Sequence, residues 1–470
     1  MDVRNPRTGE NDTRIEQTTT AELAEISALL RAGQPSWASL SWQQRVEILQ
    51  RWVTAVTADP EIILALSVDT GRYRLAADEV GAMPFVLSQW ARFAEEIFSQ
   101  PDDVALAADA SVTFTTRLFP YQLVGVISPW NFPFLLSLLD SLAALVAGSA
   151  VLVKPSEITP RFVVPLQKSI AAIPELNSVV HFVQGAGDLG AELINHVDTL
   201  CFTGSVATGR KVAAVAAANM IPAHLELGGK DPVVVLASAD PQKAAASILR
   251  AAVQATGQAC QSLERVYVDR SIYSKFLAAL TAEASRVELN ADDIHQGHLG
   301  PIIMEGQAAL IAGQIDAAVA QGAEIVTGGK LENHGGGLWM RPTVLTGVTH
   351  DMKIIQDETF GPVLPIMAFD SVSEAVALAN DSRFGLSASV FGDVSAATEV
   401  AMQINVGAVS INDGGLTTIA FEAEKNSYGL SGLGSSRMGA SGLKRFLRKK
   451  ALITRHSDGV DIDSVREGDQ

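Results

Sequence analysis

Apolar positions follow two regimes along the chain. Over 19–100 they recur every three or four residues; Val46, Leu49, Val53 and Val56, with Trp52 alongside, form one such stripe and predict a run of amphipathic helices. Pro101-Asp102-Asp103 is a polar break, and 111–121 alternates as a strand or hairpin would. Beyond it, short unbroken apolar runs alternate with helical stretches. Residues 123–128, 150–154, 179–183, 199–203 and 224–227 read as buried strands, with helices over 159–171, 188–195 and 206–218 between them. Strands joined by helical crossovers form a parallel sheet covered on both faces, which binds ligands beyond the carboxyl ends of its strands.

A second series begins at 232–236. It continues through helices over 241–256, 272–283 and 313–321 and strands at 265–268, 324–327, 343–345 and 366–369. The Gly- and Ser-rich stretch 429–442 returns the chain to the first unit. Residues 443–448 then read as helix and 451–454 as an edge strand. The polar residues 1–18 read as a mobile arm, and the acidic, apolar-poor end from 457 to 470 as disordered.

Composition narrows the function. A chain of 470 residues, 47% of them hydrophobic, can build two or three cores. A net charge of −17 argues against nucleic acid and against anionic membranes as partners. The longest apolar run, 135–153, contains Asp140, serines and a glycine, and divides into a helix and a strand rather than spanning a membrane. With no apolar leader in the first twenty residues and two cysteines in no metal or disulfide spacing, a reducing, cytoplasmic setting is expected. His295 and His298, near Asp292 and Asp293, read as a solvated loop, so no metal site is expected.

Of the two cysteines, Cys201 sits mid-strand and reads as core. Cys260, in Gly257-Gln258-Ala259-Cys260, would also pass for packing were it not for its company. Upstream lie Pro129-Trp130-Asn131-Phe132-Pro133 and Glu226-Leu227-Gly228-Gly229-Lys230; downstream lies Glu358-Thr359-Phe360-Gly361-Pro362. A thiol, a carboxylate and a side-chain amide are the parts needed to attack a carbonyl, hold its oxyanion and hydrolyse the acyl-enzyme. Two glycine turns open helices after strands, Gly185 to Gly190 and Gly204 to Gly209, and spacing alone does not say which would hold a phosphate. Lys154-Pro155-Ser156-Glu157 ends another strand. Its lysine can donate to a ribose, and its carboxylate would repel a 2′-phosphate, which favours NAD over NADP.

In this order, these motifs resemble the NAD(P)-dependent aldehyde dehydrogenase superfamily over about 19–454, and 34 positions separate Glu226 from Cys260, as that family requires. The resemblance implies an α/β fold: a Rossmann-type parallel-sheet cofactor domain, a second α/β catalytic domain and a small β oligomerisation flap. The expected boundaries are 1–110 with 122–229 for the cofactor domain, completed by 429–449. The catalytic domain would cover 230–428, the flap 111–121 with 450–456, and the tail 457–470. By matching position, Cys260 is the implied nucleophile, Glu226 the base, and Asn131 with the Cys260 N–H the oxyanion hole. Lys154 and Glu157 would hold the adenosine ribose. Trp130, Gly204, Ser205, Gly209 and Leu227 would line the cofactor site, and Glu358 with Phe360 would hold the nicotinamide ribose. Phe132, Leu136 and Leu139 would line the substrate tunnel; all are apolar, which suggests a hydrophobic or aromatic aldehyde.

The implied cofactor is NAD, with NADP as the variant form, and the implied assembly a homodimer or homotetramer. Two positions depart from the family: Ala255 stands where an Asn is expected, and 420–428 replaces the Pro-Phe-Gly-Gly stretch near the substrate mouth. Alternatives are a coenzyme A-acylating enzyme, against which Glu226 argues, and a non-catalytic NAD-binding homologue. A cysteine hydrolase would want a Cys–His pair that no local context supplies.

Overall fold

The computed structural model describes residues 1–99 and 104–467, so the polar break at 101–103 lies outside the described residues. The helical stripe becomes five helices, Thr20–Ser39, Trp42–Ala58, Pro60–Thr70, Tyr73–Gly81 and Met83–Phe98. Their starts are written in the sequence. Thr19 with Glu22, and Ser41 with Gln44, form reciprocal capping boxes, and Pro60 follows the Asp59 cap at a position with no amide to lose. Their apolar faces, including Leu49, Trp52 and Trp90, are buried in the first core, with the helix Pro133–Ala147 and the first sheet.

That sheet runs in the order Gly432–Leu433, Ala223–Glu226, Thr199–Thr203, Leu123–Ile127, Ala150–Lys154 and Val180–Phe182. All neighbours are parallel except the first pair, in which Gly432 and Leu433 face Glu226 and Leu225. A second sheet orders Glu324–Thr327, Thr343–Thr346, Val363–Phe369, Leu263–Asp269, Asp231–Val235, Ser387–Phe391 and Ala408–Ile411, parallel but for its first pair. The long apolar run is the helix Pro133–Ala147, ended by Gly148 at φ 103, and the strand Ala150–Lys154. Among the described residues no helix is long and apolar enough to cross a membrane. A third sheet pairs Leu447–Arg455 with Val112–Pro120 along its whole length, with Ala105–Leu106 outside. Phe114, Phe119, Leu452 and Ile453 on it are exposed.

The structure corrects four readings. The expected mobile arm is a hairpin of Asp2–Arg4 and Asn11–Arg14. Arg7 donates to Asn290 O at 2.9 Å and Ala291 O at 2.8 Å, and Arg161 pairs with Asp12 and Asp69; these long-range cations, with Val3 buried, order the segment. The helix expected at 313–321 begins at Glu305. The helix expected at 443–448 is instead Gly439–Lys444, and the chain turns at once into the strand Leu447–Arg455, because the long ladder with Val112–Pro120 outweighs the local helical spacing. At the end of the chain, Ile462–Val465 forms one exposed 3-10 turn.

In the basic stretch 444–450, Arg445 is buried. It joins Asp140 together with Arg437, whose Nη2 lies 2.7 Å from Asp140 Oδ2. Burial pushes the Asp140 carboxyl up, but the two guanidinium groups outweigh it and hold it below its ordinary value. This triad fastens the returning segment to the first core. Asp140→Ala would strand two buried cations, and urea unfolding is expected to show a loss of about 3–5 kcal/mol.

Candidate active site

The first site residues lie in the turn between the strand Leu123–Ile127 and the helix Pro133–Ala147. Pro133 takes the first helical position, and the next amides, of Phe134 and Leu135, donate to Glu79 Oε2 at 3.1 and 2.9 Å. Arg72 Nη2 donates to Asn131 O at 2.9 Å. Burial pushes the Glu79 carboxyl up to about 7. Both positioning residues sit in a helical stretch more than fifty positions upstream, with no motif to mark them.

The second element is the loop carrying Cys260. The helix Pro241–Val253 breaks at Gln254 into a left-handed turn, in which Ala255, Thr256 and Gly257 have φ of 55, 61 and 69°. Left-handed backbone suits Asn and Gly, and each non-glycine residue held there costs on the order of 1–3 kcal/mol. Local bonds hold it. Thr256 Oγ1 donates to Gly300 O at 2.9 Å. The buried Gln258 side chain donates to Ala255 O and Pro301 O and accepts from Ile303 N at 2.9 Å. Asn131 Nδ2 donates to Gln258 O at 2.8 Å, which ties the two elements together. An amide carries two donors, so this bond uses only one of the Asn131 Nδ2 hydrogens.

Cys260 is half-buried, yet it is deep enough that burial is the largest influence on its thiol, which is pushed up to about 11. Lys425 opposes that rise; Glu226, Asp231 and Glu358 add to it. Cys201, buried in its strand, is pushed up to about 12. Glu226 ends its strand half-buried, and its Oε2 accepts from Ser427 Oγ at 3.2 Å. Gly228 makes room for Glu358 and Gly229 binds it. The Gly229 amide donates to Glu358 Oε1 at 3.1 Å, and a Cβ on Gly228 would stand 2.2 Å from Glu358 Oε2. Burial, then the charge of Glu264, push the Glu358 carboxyl up to about 8. Glu264 accepts from the amides of Thr359 and Phe360, both at 2.7 Å, and from Lys230 Nζ at 2.6 Å.

Residues expected around a cofactor cluster at the same strand ends. The Trp130 and Phe360 rings meet edge to face at 5.4 Å. Lys154 Nζ lies 2.9 Å from Glu157 Oε2. Ser205 caps the helix Val206–Ala218 by accepting from Thr208 N, directly after Gly204. Gly209 is buried one turn further in, where a Cβ would stand 2.6 Å from Leu227 Cδ2, so it sets how closely this helix packs on the sheet. The turn at Gly185–Gly190 also reaches this end, with the Cβ position of Gly190 at 3.5 Å from Lys154 Cδ. Of the three residues expected to line a substrate tunnel, Phe132 and Leu136 are half-buried, whereas Leu139 is buried in the first core. Motif reading did not find Arg72, Glu79 or Glu264 as site-building residues, and it gave Gln258 only as part of the cysteine motif. Gln258 and Glu264 flank Cys260 closely enough that proximity was a usable signal.

The aldehyde dehydrogenase family model matches residues 1–452. A Mycolicibacterium smegmatis protein named "Putative succinate-semialdehyde dehydrogenase (NADP(+))" is 34% identical over 454 residues, covering 95% of this chain and 87% of that protein. The structure of "Putative Aldehyde Dehydrogenase PutA" from Anabaena variabilis superposes with a TM-score of 0.95 at 47% identity, over 98% of this chain and 99% of the other. Betaine aldehyde dehydrogenase from Staphylococcus aureus in complex with NAD+ superposes with a TM-score of 0.89 at 28% identity, over 98% and 92%.

Gly257 is required twice, for its φ and because a Cβ there would lie 2.2 Å from Gly361 C. Gly257→Ala is expected to lose about 3 kcal/mol in urea unfolding. For Glu358, the folded carboxyl holds its proton to about pH 8, whereas its ordinary value is 4.5. Between these values the folded state binds the extra proton, so its contribution to stability falls as pH rises. Glu358→Gln removes that dependence. Its melting temperature should gain on the parent protein from pH 5 to pH 8 and stop gaining above that.

Proposed function

The chain belongs to the aldehyde dehydrogenase family, and on that premise we propose that it oxidises a hydrophobic or aromatic aldehyde to the carboxylic acid, with NAD as the preferred cofactor. The observation that carries this reading is the bond from Asn131 Nδ2 to Gln258 O, which brings the amide to the cysteine loop. The Cys260 thiolate adds to the aldehyde carbon, forming a C–S bond. The carbonyl oxygen becomes an oxyanion received by the second Asn131 N–H and the Cys260 N–H. A bound nicotinamide dinucleotide supplies the acceptor for the hydride that this carbon loses. Glu226 then takes a proton from water, the water oxygen adds to the thioester carbon, and the C–S bond breaks to release acid and thiolate. Ser427, bonded to Glu226, orients that base.

The residues present suit a dinucleotide. The buried Lys154 with Glu157 would hold the adenosine ribose, and the Gly204-Ser205 turn, seated by Gly209 and Leu227, the pyrophosphate. Glu358 would take the nicotinamide ribose, with Phe360, whose ring meets that of Trp130 edge to face, beside it. The carboxylate of Glu157 favours NAD over NADP. The exposed third sheet, with Phe114, Phe119, Leu452 and Ile453, supports a homodimer or homotetramer built on that edge.

The test is NADH absorbance with aliphatic, aromatic and semialdehyde substrates. Cys260→Ala should lower kcat about a thousandfold or more, and Glu226→Gln should give one burst per site and then stall. Absence of NADH from every aldehyde, or full activity in Cys260→Ala, would overturn the reading.

A further inference from the structure

The stretch 420–428, which departs from the family pattern, reaches the site with two side chains. It is anchored at one end by Phe421, packed edge to face on Trp90 at 4.9 Å and stacked on Phe93 at 6.4 Å. The Lys425 amide donates to Ser436 Oγ at 3.0 Å, and Ser427 Oγ reaches Glu226. Between these fixed points, Lys425 Nζ is buried and has no hydrogen-bond partner. An unpartnered ammonium away from water is unfavourable unless an opposite charge answers it.

The answering charges lie in the site. Lys425 acts electrostatically on the Cys260 thiol and on Asp231. These two share one wall: the Cβ position of Gly229 is 2.7 Å from both Asp231 Oδ1 and Cys260 O. Asp231 is already committed to Ser387, whose amide donates to Oδ1 at 3.2 Å and whose hydroxyl donates to Oδ2. Around the thiol, the principal charged groups are three carboxyls, Glu226, Asp231 and Glu358, and one cation, Lys425.

We propose that Lys425 is a positioning residue that stabilises the Cys260 thiolate when the thiol ionises, its buried ammonium having no hydrogen-bond partner in the resting site. The role in aldehyde attack rests on the function proposed above; the ion pair itself does not. On ionisation the thiol proton leaves to water and the cation stays. A carboxylate-bearing substrate is the competing occupant for the same ammonium, and the experiment separates the two.

The measurement is the rate of Cys260 alkylation by iodoacetamide against pH, on full-length protein without dinucleotide, with Cys260→Ala as background for Cys201. Lys425→Met is expected to slow alkylation about tenfold between pH 7 and 9, well below the thiol's inflection, while Lys425→Arg stays within about threefold of the parent. Lys425→Gln replaces the Met variant should that one fail to fold. With any oxidised aldehyde, kcat should fall while KM stays. Identical alkylation profiles for parent and Lys425→Met overturn the proposal. So does a defect confined to the KM of carboxylate-bearing aldehydes. If no aldehyde is oxidised, the functional reading falls, yet the alkylation profile still decides the ion pair.

Discussion

One buried carboxylate, Glu264, organises the centre of the molecule. It sits four residues after Cys260, at the start of a central strand of the second sheet, and both its oxygens are spent on other segments. The amides of Thr359 and Phe360 and the ammonium of Lys230 converge on it. Three stretches far apart in sequence are thereby fixed at one point: the cysteine loop, the Glu226-to-Lys230 corner and the Glu358-to-Pro362 turn. Phe360 accepts φ of 51° as part of this arrangement. A carboxylate holding charge-assisted bonds to two amides and a lysine is among the stronger fixings a protein interior offers.

The remaining charges are arranged around that point with little slack. Asp231, Glu358 and Glu79 are all pushed above their ordinary range by burial before any other cause. Asp140 goes the other way because Arg437 and Arg445 close on it, and Arg437 also feels Glu226. Glu226 is held on both sides by backbone pairing, with Thr203 in the parallel neighbour and Gly432 in the antiparallel edge. The chain's return to the first sheet therefore finishes the corner that carries Glu226 as well as the sheet.

Much of this was legible in the sequence, and the exceptions have physical reasons. The strands Leu123–Ile127, Ala150–Lys154 and Thr199–Thr203 are fully buried and read as unbroken apolar runs. Cys260, Asn131, Glu226, Glu358 and Trp130 announced themselves through motifs. Arg72 and Glu79 did not, because what they do depends on a helix packing against the Asn131 turn, and nothing local records that contact. The Asp2–Arg14 hairpin was missed for the same reason, its order coming from arginine contacts over a hundred positions apart. At Gly439–Arg455 local spacing pointed to a helix one turn late, and only the partner strand settles where it stops.

That hairpin touches both halves of the molecule. Through Asp12, Arg161 and Asp69 it grips the first core, and through Arg7 and Arg4 it holds Asn290, Ala291 and Ile303 on the second. Two sheets with separate apolar cores could melt independently. A clasp shared between them makes the loss of one core cost contacts in the other, which raises the cooperativity of unfolding and leaves half-molten forms of the chain sparsely populated.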